Sequence, residues 1–143
     1  MYTIEEIAAL RDCCLELKLE GSDLLELYTD EQLRTICNGI GPEFFPSSLR
    51  AAVSALHPTL EPAAFLHDLR FERSDGSWSG FTAANAEFLR NGLRLADACH
   101  AWYNPRRYLV RADARKFHGL LTAGGWLAWQ QAYAARLRKG AQA

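Results

Sequence analysis

The chain has 143 residues, 49% of them hydrophobic and 23% charged, with a formal net charge of −1 at pH 7. Length and composition fit one globular domain with a sizeable core, and the near-zero charge argues against nucleic acid as a partner, since phosphate binding wants a basic excess. No window approaches the ~18 apolar residues of a membrane span, and MYTIEEIAALRD has neither the basic start nor the apolar run of a signal peptide, so a cytoplasmic protein with no transmembrane segment is expected.

Thr3 is placed to cap a helix in which Ile4, Ile7, Ala8, Leu10, Cys14, Leu15 and Leu17 recur at helical spacing, with Gly21 as its end. Leu24, Leu25 and Leu27 suggest a connecting turn. Thr29, followed by Asp30 and Glu31, then caps a brief helix through Ile36. CNGIGPEFFP, residues 37–46, reads as an irregular loop, because two glycines one residue apart are closed by Pro42. Pro46 is suited to start SSLRAAVSALH, a helix that ends near His57 and Pro58. Thr59 or Glu61 opens the next helix, over about 62–72, which carries His67 and Asp68 side by side.

SDGSWSG follows as an Asp-Gly turn between Phe71 and Phe81, a loop or small hairpin and the one extended excursion expected. Thr82 caps the longest helix, expected to about residue 103. Its Asn85, Phe88, Gly92, Leu95, Cys99 and Trp102 make one buried face until Asn104-Pro105 breaks it. ADARKFHGLL and WLAWQQAYAARL supply two more helices, split by Gly124-Gly125. The predicted class is all-α, one domain over 1–143. Cys13, Cys14, Cys37 and Cys99 lack metal-type spacing and read as free, mostly buried thiols of a reducing compartment.

Three pieces can carry chemistry together: the glycine loop, the His67-Asp68 pair and Asn85. Their physics suits a hard cation, since calcium takes six to eight oxygens and a glycine-rich loop turns carbonyls inward. Asp68 would add a carboxylate. His67, ~100° round the helix, would stand beside the ion and take a proton from water.

The same residues resemble secreted and bacterial phospholipases A2. That family has a calcium loop of type C-G-x-G, a helix with H-D followed three residues later by an aromatic, and a later helix with D-x-x-F. Here the matching pieces are Asn38-Gly39-Ile40-Gly41, His67-Asp68 with Phe71, and Asn85-x-x-Phe88. The chain also resembles small phage and prophage proteins with an N-G-I-G-P…L-E-P-A-A-x-x-H-D…F-T-x-x-N layout, which implies a phage-associated setting as an alternative to a purely cytoplasmic one.

The resemblance implies a phospholipase A2-like core over 36–103, with two antiparallel central helices and the Gly-rich loop across their shared end, and a C-terminal helical extension over 104–143. It implies calcium held by the carbonyls of Cys37, Gly39 and Gly41 and by the Asp68 carboxylate. His67 would be the general base, partnered by Asn85, in hydrolysis of a phospholipid or related lipid ester. Three departures stand against efficient catalysis. Asn85 replaces an aspartate: its amide oxygen can accept from Nδ1–H and fix the tautomer, but cannot stabilise an imidazolium. Phe71 replaces a tyrosine, and no cysteine flanks the pair, which Ala63, Ala64 and Phe65 precede.

Other readings of the same residues stand beside these. Asn85 suits a capping box with Thr82 as well as a histidine partner. Gly39 and Gly41 suit a helix end and turn with no ion. Trp78 suits either packing on the core or contact with a lipid surface or partner protein. Two functions therefore compete: a calcium-dependent lipid esterase, and a non-catalytic helical scaffold that contacts a protein partner, such as a phage-encoded one.

Overall fold

The computed structural model describes residues 2–39 and 58–142, and all regular structure among them is helical. Helix α1 (Ile4–Glu16) opens as expected with a capping box. Thr3 Oγ1 accepts the Glu6 N–H, and the Glu6 carboxylate accepts the Thr3 N–H. It ends before Gly21, because Lys18 adopts left-handed backbone at φ 48° and the Leu19 N–H returns to the Cys14 carbonyl. Gly21, at φ 86°, instead opens a 3-10 helix over Ser22–Leu27.

Helix α2 (Asp30–Gly39) carries a second capping box, between Thr29 and Gln32. It runs past Ile36, so Cys37 and Gly39 belong to its last turn rather than to an irregular loop. The remainder of that loop, Gly41 included, and the helix expected from Pro46 to His57 lie outside the described residues. A 3-10 turn, Pro58–Leu60, leads into α3 (Glu61–Glu72), with Pro62 in the first turn, where its missing N–H costs nothing.

The extended excursion expected around SDGSWSG does not form; no strand occurs among the described residues. Asp75 Oδ1 accepts from both the N–H and the hydroxyl of Ser77. Ser77 Oγ in turn accepts the Gly80 N–H, so Ser77, not Thr82, caps α4 (Trp78–Cys99). Thr82 lies inside that helix and donates back to the Trp78 and Ser79 carbonyls. The far end also differs: α4 stops at Cys99, and Asn104 caps α5 (Pro105–Gly124) by accepting the Arg106 N–H. Pro105 thus begins a helix as well as following one. Helix α6 (Trp126–Ala141) follows Gly125 as expected.

Helix α4 is central, with α5 and α3 packed along it. It approaches α5 most tightly at Gly92, where a Cβ would come within 2.9 Å of the Ala114 methyl. The short Arg73–Ser77 connection makes α3 and α4 antiparallel: Leu60 faces Gly92 at one end, and His67 meets Asn85 towards the other. The main core joins Ile7, Leu33, Phe65, Leu69, Phe88 and Leu95. A smaller cluster of Phe71, Phe81, Ala84, Ala128 and Trp129 fixes α6. The predicted α4 stripe ends early, because Cys99 is exposed and Trp102 is 72% exposed in the turn beyond the helix.

Helix α4 also grips the N-terminal segment. Asn91 takes the Glu20 N–H on Oδ1 and donates Nδ2–H to the Glu20 carbonyl, and Arg94 donates to the Leu17 carbonyl. None of the four cysteines forms a disulfide. Burial pushes the Cys14 thiol up to about 12, which makes it an inert core residue. No helix among the described residues is long and apolar enough to cross a membrane.

Candidate functional site

Helical periodicity on α3 turns His67 inward with Ala63, Leu66 and Phe71, so the imidazole is buried at 6% exposure. Asn85, on the facing side of α4, is fully buried. The two side chains meet: His67 Nε2 lies 2.9 Å from Asn85 Oδ1. An amide oxygen only accepts, so the ring proton sits on Nε2 and the lone pair on Nδ1. The bond uses the opposite ring nitrogen from the one expected, because the ring reaches across to α4 through its far edge. Asn85 therefore partners the histidine rather than answering a Thr82 cap, which does not exist.

The ring's other neighbours are aromatic. Phe71 lies 4.7 Å from it between centroids and Phe88 lies 5.6 Å away, edge-on. Phe88 belongs to the main core and Phe71 to the smaller cluster, so His67 sits at the seam between the two. Burial among them pushes the imidazole down to about 4, against the opposing pull of the Asn85 hydrogen bond. The side chain is neutral at pH 7. Asn85 Nδ2, also buried, has no acceptor among the described residues, a cost tolerated where the amide is committed to the histidine.

Asp68 is half-buried on α3, one residue round from His67. Cys37 is buried in the last turn of α2, a helix that packs against α3. Gly39 closes α2, and Gly41 lies outside the described residues. Among the described residues no three His, Cys, Asp or Glu side chains converge on one point.

The sequence reading missed a second feature, on the other edge of α3. Arg70 forks onto Glu87 with Nε and Nη2, at 3.0 and 2.7 Å, and Arg90 forks onto Glu20 in the same way. Arg70, Glu87 and Arg90, with Arg73 and Trp129, line a cleft of about 350 Å³. The only signal for it in the sequence is the run of arginines at helical spacing, which reads equally as a solvated face. Trp78, whose two readings were open, is 56% exposed yet rests edge-on against Trp126 at 5.0 Å. No protein-family model, no curated protein and no solved structure matches this chain.

Proposed function

We propose that this chain is a phospholipase A2-like helical module of phage or prophage type that serves as a scaffold for a protein partner, with the His67–Asn85 pair locking α3 to α4. The observation that carries this reading is the state of His67: 6% exposed, bonded to an amide, and pushed down to about 4. A general base works best with its pKa near the operating pH. A base this weak, flanked by Phe71 and Phe88, would have to hold its new charge with no carboxylate beside it among the described residues. In the scaffold reading the pair instead supplies one directional contact within an apolar seam and fixes the register of the two helices.

A second reading, a calcium-dependent hydrolase of a phospholipid or related ester, is favoured by one observation. Donation from Nε2 to Asn85 leaves Nδ1 as the basic nitrogen, the protonation a general base needs. In that reading the carbonyls of Cys37, Gly39 and Gly41 with Asp68 would hold calcium, which when bound supplies charge to polarise the ester carbonyl.

Turnover of phospholipid micelles with millimolar calcium separates the two. The scaffold reading expects the wild type and Asn85→Asp to be inert while remaining folded. Calcium-dependent turnover that vanishes in His67→Ala, and rises in Asn85→Asp as the imidazolium gains a counter-charge, would overturn it in favour of the hydrolase. A calcium-induced rise in melting temperature that Asp68→Asn abolishes would support the ion site itself, because a ligand of the folded state stabilises it by mass action.

A further inference from the structure

We propose that the cleft walled by Arg70, Arg73, Glu87, Arg90 and Trp129 is a binding site for a small organic oxyanion, a carboxylate or phosphate monoester with an apolar body. The cleft lies where the end of α3, the first half of α4 and α6 meet, and its volume of about 350 Å³ falls within the ~300–1,000 Å³ of small-molecule sites.

Its walls are asymmetric. Three guanidinium groups and two carboxylates, Glu87 and Asp75, line it, and Glu20 pairs with Arg90 from beyond the lining, so Arg73 is the guanidinium left over. Glu87 is taken up by Arg70, and the Asp75 carboxylate is turned back onto Ser77. Arg73 meets no carboxylate among the described residues; its Nη1 donates to the Tyr28 hydroxyl at 3.2 Å. The forks onto Glu87 and Glu20 use Nε and Nη2 of Arg70 and Arg90. Each guanidinium is thereby held in a fixed orientation with Nη1 left over, and such planar donors suit carboxylate and phosphate oxygens.

A second observation is independent of the arginines. Trp129 is 3% exposed, and its buried indole Nε1–H has no acceptor among the described residues. A buried donor without a partner is costly enough to require an explanation, and this one belongs to a residue that lines the cleft. As the chain stands that N–H is closed to solvent, so a ligand oxygen bonds it only if the indole shifts towards the cleft on binding. Ala83 and Ala84 supply the apolar wall beside the indole, which is why an ion with an apolar body fits better than inorganic phosphate alone. The site uses neither Asp68 nor the His67 ring, so it stands or falls apart from either reading of that pair.

The indole N–H resonances in a ¹H–¹⁵N spectrum of the full chain provide the test, with the Trp129 signal assigned from its loss in Trp129→Phe. The probes are phenyl phosphate, benzoate, inorganic phosphate, and sodium chloride at matched ionic strength. The expected result is a saturable shift of the Trp129 signal with phenyl phosphate or benzoate, whichever is preferred naming the oxyanion. Binding should weaken at least ~tenfold in Arg73→Gln, the loss of one charge-assisted hydrogen bond. Arg73 is exposed, so this variant keeps its fold. No shift at ~10 mM probe, an equal shift with chloride, or a shift indifferent to Arg73→Gln would each overturn the proposal.

Discussion

Acid should act on this fold through His67 in a way that can be isolated. The ordinary histidine value is 6.5, and burial holds His67 at about 4 in the folded chain. Between those values the unfolded chain takes up a proton that the folded chain refuses, so stability falls as the pH drops through that window. Above about pH 7 both forms are neutral and the side chain adds no pH dependence. Linkage over this interval gives a loss of about 2–3 kcal/mol by pH 4.5, a large share of a typical domain's stability. Carboxylates also titrate there, so the comparison is with His67→Gln, which keeps an amide opposite Asn85 and cannot ionise. Urea unfolding of both proteins at pH 7.5 and pH 4.5 gives the difference directly. The wild type should lose about 2–3 kcal/mol more than the variant. A difference under ~0.5 kcal/mol would mean the imidazole reaches water or a carboxylate when charged, and the buried neutral lock would be wrong.

Three further expectations concern the packing around that pair. Phe88→Ala removes a ring that is 2% exposed and edge-on to His67; denaturant melts should show a loss of ~3–5 kcal/mol, and under ~1 would place Phe88 outside the core. Arg70→Met leaves Glu87, 8% exposed, without its fork. Destabilisation of about 2 kcal/mol is expected, less than for a fully buried pair because Arg70 is one-third exposed, and adding Glu87→Gln should restore part of it. Gly21→Ala places a Cβ 2.7 Å from Glu87 Oε1 on backbone at φ 86°. Thermal unfolding should register a loss of at least ~1 kcal/mol, whereas an unchanged melting temperature would show that the Gly21 backbone relaxes freely.

Local signals in the sequence carried much of the fold. Thr3 and Thr29 announce their helices because a hydroxyl followed three residues later by Glu6 or Gln32 satisfies orphan N–H groups within one turn. Gly124-Gly125 likewise marks its break. The juxtaposition of His67 with Asn85 was legible from the order of motifs. Which ring nitrogen makes the bond was not, since that depends on the distance between two helices. The start of α4 was misplaced because Ser77 and Thr82 are both plausible caps, and only the Asp75 carboxylate bound to Ser77 decides between them. Cys99 and Trp102 continue the spacing of a buried stripe, but periodicity cannot tell where the covering helix stops. The arginine-lined cleft was illegible for a related reason: Arg70, Glu87 and Trp129 come from three helices, and nothing local in any of them records the other two.

The grip of Asn91 on Glu20 bears on the order in which this chain folds. The partners are 71 residues apart, and closing a loop of that length costs about 4 kcal/mol of chain entropy beyond the constant term. The α3–α4 hairpin, joined through Arg73–Ser77, costs only about 1.4 kcal/mol by the same relation. Nucleation should therefore begin in the hairpin, with the N-terminal helix docking onto α4 after the barrier has been crossed. Asn91→Ala would then leave the refolding rate nearly untouched and accelerate unfolding, whereas Phe88→Ala, inside the hairpin, would slow refolding. The amide clasp at Glu20 acts as a latch on an assembled molecule: it sets how long the native state lasts, not how quickly it forms.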